Sequence, residues 1–177
     1  MKTVKLLSLI IISLLFVLAF FHQKVISLAL LPQYIEWAHT IENQGLQVGT
    51  GLSEQELALA KEIGIKHPEK VKIVYVEEVP FPYENFALKT LGEALGFIGE
   101  GIVNNAQVFG YTIYVRNGFD LNKPKFAHEL VHVLQMERMG MHNVMTQHFS
   151  DLAEYGYNSA PLEVEAFEAN KKYSQDW

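Results

Sequence analysis

A chain of 177 residues is the length of about one domain, and at 49% hydrophobic and 19% charged it is neither disordered nor collagen-like. Of the 14 basic residues, Lys2, Lys5 and Lys24 lie in an N-terminal stretch without acid, so residues 25–177 hold 11 basic against 20 acidic groups, a net −9. An acidic body is a poor match for the phosphates of nucleic acid, which excludes that partner, and the absence of cysteine excludes disulfide scaffolds, thiolate zinc fingers and cysteine nucleophiles.

The N-terminus is set apart by an apolar run from Leu6 to Phe21, LLSLIIISLLFVLAFF, broken only by two serines. A membrane-spanning helix needs about 17–25 mostly apolar residues. Val4–Phe21 meets that length when Lys5 snorkels toward the surface. The expectation is a single-pass anchor within residues 1–30 and a domain at 31–177. The alternative is a signal peptide cut near Ser27-Leu28-Ala29. A buried core helix is disfavoured because the run is apolar on every face. Lys2 and Lys5 place the N-terminus in the cytoplasm, against the pull of Lys24, and the domain outside it, periplasmic or extracellular.

Along the body, QYIEWAHTIEN at 33–43 has helical spacing, and the glycine-rich GLQVGTG at 45–51 reads as a break. Ser53 with Glu56 forms a capping box that opens a helix ending at Gly64. VKIVYVEEV at 71–79 reads as a strand ended by Pro80 and Pro82, and Ala87 to Leu95 as a short helix. The run at 96–110 reads as a loop; its GxxGxG lacks the strand, helix and lysine of a phosphate cradle. GYTIYVRNG at 110–118 reads as a second strand. Helices follow from Pro124 to about Met139, from Asn143 to Tyr155, and from Pro161 to about Tyr173.

The Pro124 helix carries His128-Glu129-Leu130-Val131-His132. Residues at i and i+4 share one helix face, so two imidazoles at this spacing can grip one tetrahedral metal ion, and zinc suits such ligands. Glu129 lies about 100° round the helix from His128, within reach of a metal-bound water but not as a third ligand. It is the base that activates that water. The apolar neighbours Phe126, Ala127, Leu130, Val131, Val133 and Leu134 suit a buried active-site helix. The plainer alternative makes both histidines ordinary helix residues.

A third ligand is still required. The extended HExxHxxGxxH pattern is excluded, because positions 135 and 138 are Gln135 and Arg138. Downstream, PLEVEA at 161–166 lies on a helix expected to return antiparallel. Glu163 and Glu165 point about 200° apart there, so one alone can face the metal. Glu163 is favoured and Glu165 is the alternative, with Glu168 in solvent. His142 and His148 are rival ligands, and His148 is expected to face partly outward.

HELVHVLQMERMG resembles the HELxHVxQ signature of small, poorly characterised bacterial zincin-like proteins, and the chain looks like a small gluzincin-type zincin metallopeptidase. The later PLEVEA resembles the segment that supplies their third glutamate. It also resembles the ExxA part of the downstream motif of membrane metallopeptidases, which lands on Glu163 and Ala166. That pattern continues with an aspartate orienting a histidine, where this chain has Phe167. The resemblance spans about residues 105–170. It implies an α+β, mostly helical zincin-like domain with a small antiparallel sheet packed on the HExxH helix. It also implies an edge strand, here GYTIYVR at 110–116, that binds extended polypeptide substrate by strand addition.

The expected function is therefore a membrane-anchored, exported zinc metallopeptidase. His128, His132 and Glu163 hold Zn²⁺, Glu129 activates the zinc-bound water, and Tyr157 donates to the tetrahedral oxyanion. Tyr155 is the other candidate donor, and Arg138 lies too far along the helix. A second reading is a catalytically inactive, zinc-stabilised binding or assembly module. A third is a membrane-bound helical scaffold in which the motif is accidental.

Overall fold

The computed structural model describes residues 29–175 and 177, and the expected anchor at 1–30 lies almost wholly outside them. Among the described residues no helix is long and apolar enough to cross a membrane. The architecture of these residues is α+β, with six α-helices and one small sheet among them. In chain order these are α1 (Leu31–Val48), β1 (Thr50–Gly51), α2 (Glu54–Ile63), β2 (Lys72–Val76), α3 (Phe86–Ala94), β3 (Ala106–Phe109), β4 (Thr112–Arg116), α4 (Lys123–Met139), α5 (Met141–Tyr155) and α6 (Pro161–Lys172). Short 3-10 turns occupy Pro68–Lys70 and Tyr157–Ser159.

Local chemistry accounts for most boundaries. The Ser53 hydroxyl accepts from the Glu56 N–H while the Glu56 carboxylate accepts from the Ser53 N–H, so the capping box of α2 is complete. Asn85 and Asn122 cap α3 and α4 through their side-chain oxygens alone, and Pro124 and Pro161 sit in the first turns of α4 and α6. Helix α1 runs through Gly45, where a break was expected. A side chain there would crowd the sheet: a Cβ on Gly45 would lie 2.2 Å from Thr112 Cγ2, so the neighbours would have to shift. That glycine lets α1 press on the sheet, and the Tyr114 hydroxyl and Thr112 hydroxyl donate to the carbonyls of Ile41 and Glu42.

The sheet order is β1-β2-β4-β3, and it is mixed, where an antiparallel sheet was expected. Strands β1 and β2 pair antiparallel, as do β3 and β4, but β2 and β4 run parallel. After β2 the chain crosses through α3 and the following loop and enters on the far edge as β3. Its hairpin then returns β4 into the centre, in the direction of β2. So the strand at Thr112–Arg116 is central, and the edge is Ala106–Phe109, a segment read from sequence as loop. The hairpin turns at Gly110, whose φ of +58° suits glycine and whose Cβ would collide with the Glu42 carboxylate. That carboxylate accepts from the Tyr111 N–H.

Both faces of β4 are covered, which is why Thr112, Ile113, Tyr114 and Val115 are all buried. Ile113 and Val115 face a core made with Val71, Ile73, Phe126, Leu130, Val133 and Ala166. Tyr114 faces a second core, with Tyr34, Ala38, Phe109, Met136, Met145 and Phe149. Helix α4 lies between the two cores, so its histidines are presented from a rigid, buried element.

Candidate metal centre

Helices α4 and α6 meet through buried Ala127, Leu130, Ala166 and Ala169, and the small side chains allow a close approach. The approach brings together His128 and His132 from α4 and Glu163 from the first turn of α6. The two Nε2 atoms are 3.1 Å apart. Glu163 Oε2 lies 3.5 Å from His128 Nε2, and Glu163 Oε1 lies 3.6 Å from His132 Nε2. These three residues form a group that could hold a metal ion. Donors at the zinc bond lengths of about 2.0–2.1 Å occupy tetrahedron corners about 3.3 Å apart. The distances, taken from each ring to a different Glu163 oxygen, straddle that value, and Glu163 Oε2 is buried with no hydrogen-bond partner. A cation at the centre of the triangle is what this donor set fits.

Each ring is also held from behind. His128 Nδ1 is 2.8 Å from Asn170 Oδ1, and His132 Nδ1 is 2.9 Å from Gln135 Oε1. Phe167, which stands where the resembled motif has an aspartate, packs on His128 with ring centroids 5.1 Å apart and makes no polar contact with it. Glu165 points elsewhere: it takes Arg138 through two bonds of 2.8 and 2.9 Å and receives the Gln135 amide. Arg138 is thus occupied with Glu165, and Glu168 pairs with Lys171 at the surface.

His142 is exposed, away from the cluster. His148, read as a rival ligand facing partly outward, is half-buried and turns toward the site. Its Nε2 is 3.7 Å from Glu163 Oε1, and Phe97 stacks on its ring. Nothing local marks it; it reaches the site because α5 packs Val144, Met145 and Phe149 into the second core.

An open pocket of about 610 Å³ lies in front of the triangle. Glu129, His148 and Tyr157 line it, as do Asn104 to Val108 of the edge strand and its approach. Tyr155 does not line it, and Tyr157 leans on Phe167. Burial pushes the Glu129 carboxyl up, and the charge of Glu163 adds to this against the pull of His132 and His128. Burial acts the same way on Glu163, but the imidazoles of His128, His132 and His148 outweigh it and hold the group at about 2. Burial pulls His128 down, but Glu163, Glu129 and Asn170 together leave it raised. His148 is lowered by burial, and the Tyr157 phenol is raised by burial and by the adjacent Glu163 and Glu129 charges. The pocket therefore holds a carboxylate made more basic than usual, a neutral imidazole and a protonated phenol around three convergent donors.

Comparison with protein-family models, with curated proteins and with solved structures finds no match to this chain.

Proposed function

We propose that the chain is a zinc metallopeptidase of the gluzincin type, with zinc held by His128, His132 and Glu163. The observation that carries this reading is the triangle of donors with tetrahedral edge lengths, open to a pocket on which Glu129 sits. Zinc bound there would supply a Lewis acid for the scissile carbonyl and for water. Glu129 would take a proton from water in the pocket, and the raised basicity of its carboxylate suits the task. Tyr157 donates from the pocket wall to the oxygen on which negative charge develops, and His148 is a second donor placed to do so.

Substrate is extended polypeptide, and its docking edge is β3, because β4 is covered on both sides. Among the described residues strand β3 pairs only with β4, which leaves its other edge to accept main-chain hydrogen bonds beside the triangle. The N-terminal apolar run would hold this domain at a membrane, outside the cytoplasm.

Glu129→Gln tests the reading. The variant should fold, bind zinc as the wild type does, and lose cleavage of a peptide library by about a hundredfold or more, the scale of a general base. A variant that behaves as the wild type in every biochemical assay would instead favour a zinc-stabilised assembly module.

A further inference from the structure

The resembled motif places a carboxylate behind a ligand histidine, and here that place holds Phe167. The rings are nonetheless fixed, by two carboxamides. The orientation of an amide follows from what its nitrogen meets. The Gln135 Nε2 donates to the Leu162 carbonyl and to Glu165 Oε2, both at 2.9 Å, so Gln135 Oε1 must be the atom that faces His132. The Asn170 Nδ2 donates to the Pro124 carbonyl at 3.3 Å, so Asn170 Oδ1 faces His128. A carbonyl oxygen can only accept, and each ring must therefore present an Nδ1–H to it.

We propose that Gln135 and Asn170 are positioning residues of the metal centre. Each accepts from Nδ1–H of one histidine, so that in the neutral rings both Nε2 lone pairs are left bare, aimed at one point beside Glu163. The inference rests on the metal reading above and deepens it. Two bare nitrogens 3.1 Å apart, with a carboxylate beside them, repel one another in the absence of a cation. The amides hold that arrangement ready. Gln135 is itself wholly buried and is steadied by the chain Arg138–Glu165–Gln135, which gives the Arg138 pair a purpose beyond the surface. Because both supports are neutral, they orient the rings without adding negative charge to the site.

The direct test is ¹⁵N NMR of histidine-labelled, metal-free protein above the histidine titration range, with zinc affinity measured by chelator competition. The wild type should show Nδ1–H tautomers for both His128 and His132. Asn170→Ala should release His128 alone into a tautomer mixture and weaken zinc binding about 10–100-fold, the usual effect of losing such a support. Asn170→Asp keeps the acceptor, and should restore the tautomer and hold zinc at least as tightly as the wild type. Nε2–H tautomers in the wild type would overturn the proposal without any substitution. So would an Asn170→Ala protein with wild-type tautomers and affinity. A wild type with the expected tautomers that takes up no zinc would sink the metal reading and leave the positioning role standing.

Discussion

Glu163 and Glu165 differ by two positions and meet opposite surroundings. Glu163, in the first turn of α6, turns to three imidazoles; Glu165 turns to Arg138 and Gln135. The divergence follows from the helical rotation of about 200° between them. At the same scale, Tyr157 and His148 compete for one role, since both line the pocket near Glu163. Tyr157→Phe keeps the ring against Phe167 and removes only the hydroxyl. If the phenol donates to the oxyanion, kcat should fall about 10²–10³-fold with zinc content unchanged, the scale of one such donor. Unchanged kcat in Tyr157→Phe would give the role to His148. The HExxH pair was legible in the sequence because i and i+4 neighbours are fixed by one helix. His148 was legible only as a rival ligand and Asn170 not at all, since only the docking of α5 and α6 brings them to the site, and Phe167 in the place of the resembled aspartate gave no hint of the amide three residues on.

At the scale of elements, α1 and the hairpin are the joints of the sheet. Gly45→Ala would gain about 1 kcal/mol of helix propensity. The new Cβ would also lie 2.2 Å from Thr112 Cγ2 and 2.9 Å from Tyr114 Oη, and such overpacking costs about 1–3 kcal/mol. The clash should win, because its neighbours sit on a central strand rather than on a mobile tip. Urea unfolding should show net destabilisation, and a stabilised variant would contradict the close approach. A second joint is Glu137 at the end of α4, which accepts from the N–H groups of Lys66 and His67 and from the Tyr111 hydroxyl. Burial pushes its carboxyl up, but those three donors prevail and leave it below the usual value. A carboxyl lowered in the folded state contributes its stability above the unfolded value, near about 4.3, and loses it as pH falls through the folded one. Wild-type stability should thus fall more steeply than that of Glu137→Gln between about pH 5 and pH 3. Parallel curves would show that Glu137 contributes nothing. The edge strand is the element the sequence hid. Ala106–Phe109 has four residues between a glycine-rich loop and Gly110, too few to show an alternation, and its state as a strand comes from pairing with β4.

The described residues form a sheet clasped between two cores, with α4 running from one to the other. Most helices could be read from caps, prolines and spacing, because those signals are local. The parallel pairing of β2 with β4 could not, since it depends on where the crossover through α3 lands. The continuation of α1 past Gly45 was hidden for a related reason: glycine marks a break in isolation and a close contact in context. The proposed function rests on whether this frame delivers one carboxylate to two histidines across the 30 residues between His132 and Glu163. The most direct test is elemental analysis of purified protein after zinc loading, beside Glu163→Ala and Glu165→Ala. The account predicts about one zinc per chain in the wild type and in Glu165→Ala, as for a single four-coordinate site, and its loss in Glu163→Ala alone. A wild type that takes up no zinc, or a Glu163→Ala variant that retains it, would contradict the account.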